Sequence, residues 1–208
     1  MPIQKLVHGI HSFQKGYFAR HRALFAELAA KGQRPNTLFL TCSDSRILPE
    51  RLTSTGPGEL FIVRNVGNVI PRTDLVGGTA AAIEYGIEVL GVDHIVVCGH
   101  TQCGAIDAIM DPQRMESLPY VKRWLSQTER VREVIAARYS DLPIEAQKMA
   151  AVEENVLMQL ENLRDYPFAQ RRLDAGTLDL SGWVLDVEKG TVFDYDAALC
   201  EFVPLVAK

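Results

Sequence analysis

No stretch of this 208-residue chain approaches the roughly 18 unbroken apolar residues of a membrane-spanning helix, and its first turns, Met1-Pro-Ile-Gln-Lys-Leu-Val-His8, carry polar residues throughout. No membrane segment or secretory leader is expected, and the protein is expected in the cytoplasm. Cysteine is scarce as well. Four cysteines do not make the disulfide framework of a small secreted domain; in a reducing compartment they serve as metal ligands, catalytic groups or small buried hydrophobes. Charge of one sign is also missing. The net charge is only -4, with Lys and Arg scattered among Asp and Glu, so no basic stripe offers itself to nucleic acid. There is no internal repeat and no low-complexity tract.

What is present is an apolar share of 47%, enough for one α/β domain with a full core over residues 1–208. Residues 3–30 have a helical pattern, with Leu6, Ile10, Phe13 and Tyr17, then Leu24, Phe25 and Leu28 as apolar positions, interrupted near Gly16. This arm either packs on its own sheet or reaches across to a second subunit; the periodicity is the same for both. Buried strands are expected at residues 37–41, 60–63 and 94–98. Gly77-Gly78 opens a helix with Ile83, Ile87 and Leu90 on one face, and Gly91 closes it. A short helix at 104–110, one from Pro119 carrying Val121, Trp124, Leu125, Thr128, Val131 and Ile135, and a long one from Pro143 follow. The chain closes with a hairpin, residues 178–187 and 191–195. Apolar strands alternating with helices imply a mainly parallel sheet covered on both faces, with the site beyond the carboxyl ends of the strands.

Two chemistry-bearing stretches fall at such strand ends. Cys42-Ser-Asp44-Ser-Arg46 sets a thiol, a carboxylate and a guanidinium two residues apart, so that they converge on one side if the strand continues past its apolar run. Cys98-Gly-His100-Thr-Gln-Cys103-Gly104 adds an imidazole and a thiol three positions apart, flanked by glycines that suit close backbone approach. Cys, Asp, His and Cys are ligands that zinc takes in tetrahedral geometry, and two thiolates with an imidazole select zinc over magnesium or calcium. Asp44 has two readings. As fourth ligand it closes a structural site; held by Arg46, it leaves that position free for catalysis. Cys98, Trp124 and Trp183 read as core; Cys200 has no nearby partner in sequence, and His8, His11, His21 and His94 read as surface or interface.

Together with Arg64-Asn-Val-Gly-Asn68, these two motifs resemble, in order and spacing, the signature of the β-class carbonic anhydrases. The resemblance runs from the N-terminal helices to the Ser181-Gly-Trp183 strand. It implies an enzyme that reversibly hydrates carbon dioxide to bicarbonate through zinc-bound hydroxide, with one zinc per subunit held by Cys42, His100 and Cys103, and by Asp44 only in a closed state. Asp44 and Arg46 are implied as the catalytic dyad. Gln33 is implied as a substrate donor from the neighbouring subunit, with Phe61, Val66 and Tyr85 walling an apolar pocket. The implied assembly is a dimer, or a dimer of dimers, whose N-terminal helices (residues 1–30) wrap the partner. Two other readings of the same residues remain: a carbonyl sulfide or carbon disulfide hydrolase, and a non-catalytic zinc-binding scaffold, which would be expected to have lost Asp44 or Arg46. Some bacterial members also close when bicarbonate binds a Trp, an Arg and a Tyr. The matching positions here are Phe39, Arg64 and Leu185, so an open site is expected.

Overall fold

Leu38 and Leu40 on one side and Phe39 on the other, all fully buried, make β1 (Thr37–Cys42) a strand covered on both faces. In the computed structural model, which describes residues 2–206, β1 lies between β2 (Leu60–Asn65) and β3 (His94–His100), and pairs in parallel with both. Met1, Ala207 and Lys208 lie outside the described residues. The sheet continues through β4 (Asp179–Asp186), parallel to β3, then β5 (Thr191–Asp196) and β6 (Glu201–Pro204), both antiparallel, giving the order β2-β1-β3-β4-β5-β6. A mainly parallel sheet with a C-terminal hairpin is therefore present. β6, too short and mixed to show in the pattern, extends it by one strand.

The two faces are unequally covered. On the first, α4 (Gly78–Glu84), α5 (Gly104–Met110), α7 (Glu129–Arg138) and the 21-residue α8 (Ile144–Arg164) build one continuous core with Leu38, Leu40, Ile95 and Val97. On the second, Phe39, Ile47, Val96, Cys98 and Leu185 form a smaller cluster, against which Leu60, Ile62, Trp183 and Val192 are only half-buried. Cys98 is core as expected, and Trp183 packs edge-on against Phe39. The even two-sided cover implied by the strand pattern is thus not reached within one chain.

The N-terminal arm consists of α1 (Ile3–Ser12), a π-helical turn at Phe13–Phe18 around Gly16, and α2 (Arg22–Lys31). Neither helix has a buried residue, and Leu6, Ile10, Phe13 and Tyr17 stand exposed. The helix expected from Pro119 to Ile135 is in fact two, α6 (Pro119–Leu125) and α7, joined by a 3₁₀ turn at Ser126–Thr128, where the Thr128 hydroxyl donates to the Leu125 carbonyl. A hydroxyl that competes for backbone acceptors weakens a helix from within. Two short helices escaped the pattern: α3 (Pro49–Leu52) and α9 (Pro167–Asp174).

The strand that carries His100 depends on a close approach. A Cβ at Gly99 would lie 2.8 Å from Cγ2 of Val156 and 3.2 Å from Cγ1 of Val152, and one at Gly182 would lie 2.9 Å from Cδ1 of Leu160. Small residues here let α8 sit directly on β3 and β4. Gly99→Ala is expected to lower stability by about 1–3 kcal/mol through overpacking. Val156→Ala should recover part of that loss in the double variant, as urea midpoints would show; additive losses would contradict the close-packing account.

Candidate metal centre

The site begins where β1 and β3 end. Their register sets Thr41 beside Cys98, and the Thr41 hydroxyl donates to the Cys98 carbonyl at 2.8 Å, so Cys42 and His100 leave adjacent strands at nearly the same level. Cys103 follows three residues later as the residue before α5. Among the described residues, Cys42, His100 and Cys103 form the one group with metal-ligand spacing, all buried and with ligand atoms within 4.8 Å of one another. The two sulfurs are 4.0 Å apart. Ligand sulfurs on a tetrahedral zinc lie roughly 3.8 Å apart, given a Zn–S distance of about 2.3 Å.

Each candidate ligand is held. The His100 Nδ1–H donates to the Thr101 carbonyl at 2.9 Å, which turns the Nε2 lone pair inward, where it has no hydrogen-bond partner among the described residues. Thr101 is itself tied to the end of β4: its N–H donates to the Leu185 carbonyl, and its hydroxyl accepts from the Val187 N–H. The Cys42 thiol is drawn well below its ordinary range, first by its hydrogen bond with Cys103, with burial opposing, then by His100 and the backbone N–H groups of Gly67 and Asp44. Cys103 moves the other way. Its hydrogen bond with Cys42, burial and the Cys42 charge hold its proton on. Two sulfurs this close resist carrying two charges at once, and a bound cation would relieve that repulsion in a Cys2His donor set.

Gly67 is placed by groups that sequence reading passed over. It sits at φ +80, and a Cβ there would meet Ala105 at 3.0 Å. From α8, the Asn155 amide donates to the Gly67 carbonyl, Gln159 donates to Asn155, and Gln159 accepts from the Ile70 N–H. Asn155 and Gln159 are polar residues on an otherwise apolar helix face, and that pairing was a readable signal.

The dyad forms by a route other than the one expected. β1 stops at Cys42, and a turn rather than extended chain brings Arg46 back: the Ile47 N–H donates to the Asp44 carbonyl, and the Arg46 N–H donates to Asp44 Oδ1 at 2.9 Å. Arg46 Nε donates to Oδ1 at 3.0 Å and Nη2 to Oδ2 at 2.8 Å, a bidentate pair. Asp44 Oδ2 is 3.9 Å from His100 Nε2, so the carboxylate borders the ligand cluster while facing Arg46. Arg46 holds the Asp44 carboxyl well below the usual carboxylate range, mainly by this hydrogen bonding. Arg64 braces the turn, donating from Nε to the Cys42 carbonyl and from Nη2 to the Asp44 carbonyl.

The implied substrate residues divide. Val66 precedes Gly67 at the cluster, and Trp124, half-buried against the core, donates from Nε1 to the Val66 carbonyl. Phe61 and Tyr85 pack together with ring centroids 6.0 Å apart, but Phe61 pairs with Leu38, four residues before Cys42, or roughly 13 Å along the strand. Gln33 precedes β1 and so lies toward the opposite end of that strand from Cys42. One chain does not gather these three at its own cluster.

With this geometry in view, a family model for carbonic anhydrase matches residues 37–192. A carbonic anhydrase of Synechocystis sp. is 43% identical over 203 residues, 97% of this chain and 74% of that protein. The chain belongs to the β-carbonic anhydrase family. Among solved structures, the β-carbonic anhydrase CcaA superposes with a TM-score of 0.95 at 42% identity, covering 99% of this chain and 93% of that one. One of two tetrameric β-carbonic anhydrases from Sordaria macrospora superposes with a TM-score of 0.84 at 25% identity, covering 92% and 95%. The activity is that of carbonate dehydratases, lyases that reversibly hydrate carbon dioxide, and the site is metal-dependent. No described helix is long and apolar enough to cross a membrane.

The dyad carries a pH expectation. Asp44's folded pKa lies below the roughly 3.9 of an unfolded aspartate, so its pair with Arg46 stabilises the fold above that pH and loses its contribution only as pH falls through the folded value. The stability gap between wild type and Asp44→Asn should therefore stay level from about pH 8 to about pH 4 and close only below that. A gap that already shrinks between about pH 7 and pH 5 would contradict the pairing.

Proposed function

We propose that Cys42, His100 and Cys103 hold one zinc ion per subunit and that carbon dioxide is hydrated beside it, with Asp44 and Arg46 as the catalytic dyad. The observation that carries this reading is the combination of three converging donors with an Asp44 carboxylate already taken by Arg46, which would leave room beside a bound metal for the reacting water. Two sulfur donors and one imidazole suit zinc rather than a hard oxygen-seeking cation. Zinc, when bound, supplies a Lewis acid that makes water a nucleophile near neutral pH.

The chain's own residues do the rest. Asp44, kept ionised and fixed by Arg46, accepts a hydrogen bond from the attacking oxygen and so aims its lone pair at the carbon. Val66 supplies an apolar wall from the same chain, suited to an uncharged substrate. Gln33, Phe61 and Tyr85 lie toward the other end of the strands, and we assign them to the neighbouring subunit's pocket. Support comes from the arm. Leu6, Ile10, Phe13 and Tyr17 are each exposed, and burying a large apolar side chain fully contributes about 1.5–3 kcal/mol, so a second copy is the natural cover. The Sordaria relatives are tetrameric, which favours a dimer or a dimer of dimers. We read residues 1–208 as a single carbonic anhydrase domain with residues 1–30 as its dimerisation arm. A reducing cytoplasm suits it, because Cys42 and Cys103 must stay reduced to act as ligands.

Metal analysis and stopped-flow carbon dioxide hydration test the proposal together. Cys103→Ala is expected to lose zinc and most hydration, while near-stoichiometric zinc with normal turnover would sink the ligand assignment. Sulfide release from carbonyl sulfide, assayed in parallel, should remain the slower reaction. Placing Glu at both Leu6 and Ile10 should shift the sedimenting species toward monomer and reduce hydration along with it; full activity in a monomer would refute the shared pocket.

A further inference from the structure

We propose that Gln102 is a positioning residue that locks the Asp44–Arg46 pair and thereby keeps the Asp44 carboxylate away from the metal. The inference rests on the zinc reading above and adds a component to the dyad.

Gln102 stands between two ligands, His100 and Cys103, and adopts φ +56, a left-handed conformation that non-glycine residues rarely take. Burial does not explain it, because the residue is exposed. Its contacts do. The turned backbone presents both acceptors of Gln102 to one guanidinium: Arg46 Nη1 donates to the Gln102 side-chain oxygen at 3.1 Å, and Nη2 donates to the Gln102 carbonyl at 2.9 Å. A strained residue persists only where its surroundings over-determine it, and here two acceptors converging on one cation do so.

With Nε and Nη2 on Asp44 and Nη1 and Nη2 on Gln102, Arg46 bridges the turn after β1 and the loop after β3. That bridge matters because Asp44 Oδ2 is already 3.9 Å from His100 Nε2, close enough for a modest side-chain rotation to bring it into the cluster. What opposes the rotation is how firmly Arg46 is held, and its side chain is 44% exposed, with rotamer freedom of its own. Gln102 removes that freedom from the side of the ligand loop itself. Asp44 therefore stays paired while the loop keeps its shape.

The test uses the full chain with cobalt(II) in place of zinc and azide as the probe of the open coordination position, followed by visible absorption. Gln102→Gly removes the side-chain acceptor, keeps the carbonyl and suits the left-handed backbone, so the fold is not put at risk. Its azide affinity is expected to fall about threefold to tenfold, the scale of a hydrogen bond to a charged but partly exposed group, as Asp44 competes for the metal. Its melting midpoint should be unchanged or raised. Gln102→Glu, which keeps an acceptor at the same reach, should retain wild-type azide affinity. Unchanged azide affinity in Gln102→Gly overturns the proposal. So does a fall shared by Gln102→Glu and matched by a lower melting midpoint, which marks a merely structural role. Failure of the zinc reading looks different: the wild-type chain then takes up no cobalt, and both proposals fall.

Discussion

Two sulfur atoms 4.0 Å apart inside a protein are tolerable as thiol and thiolate, or as two thiolates around a cation, but not as two free anions. The opposite displacements of Cys42 and Cys103 express that constraint. Much of the surrounding structure serves to keep the sulfurs that close. The parallel pairing of β1 with β3 sets their level, the Thr41–Cys98 hydrogen bond fastens the strands just below them, and α8 packs directly on β3 through Gly99. α8 also reaches the sulfur itself, through Asn155, Gln159 and the Gly67 amide. A cation in this cluster would therefore act on the core as well as on chemistry, because the groups that shape its site are the groups that join sheet to helix.

The site has two halves with different physics. The Cys42, His100 and Cys103 side chains are buried and fixed by packing, whereas Asp44 and Arg46 lie where water screens charge and a lone ion pair contributes little. Geometry there has to be imposed by several directional bonds. Asp44 takes a bidentate guanidinium and caps its own turn, while Arg64 holds the carbonyls on either side of Ser43. The same openness leaves Val66, beside the cluster, about half-exposed in one chain.

The buried Cys42–His100–Cys103 cluster was legible because its residue types are unusual at strand ends and its strands are plainly apolar. Cys42, His100 and Cys103 follow from type and spacing, and the sheet follows from runs such as those of β1 and β3. The turn that forms the dyad was not legible as a turn: an extended chain and an Asx-type turn both bring positions 44 and 46 together, and only the backbone distinguishes them. The break at Ser126–Thr128 was hidden because both flanking helices keep their apolar faces in phase with one longer helix. Gln102 gave no signal. Glutamine has no special preference for a positive φ, and its role appears only when the Arg46 side chain is in place. The division of Gln33 and Phe61 from the ligand cluster was likewise invisible, since it depends on where each lies along the strands.

The family resemblance also raises the closure by bicarbonate attributed to some bacterial members. An anion held beside β1 needs donors, and the positions that would supply an indole and a phenol are Phe39, fully buried against Trp183, and Leu185, buried in the same apolar cluster. Arg64 keeps its charge, but its donors already serve the carbonyls of Cys42 and Asp44. Bicarbonate entering there would have to shed water against apolar walls and draw Arg64 away from the turn that carries the dyad, with each donor it lacks worth about 1.5–3 kcal/mol to a charged partner. An effector biases two states only by its differential affinity for them. With the apolar cluster closed and Arg64 occupied by these carbonyls, that difference would work against closure and would favour the pairing of Asp44 with Arg46.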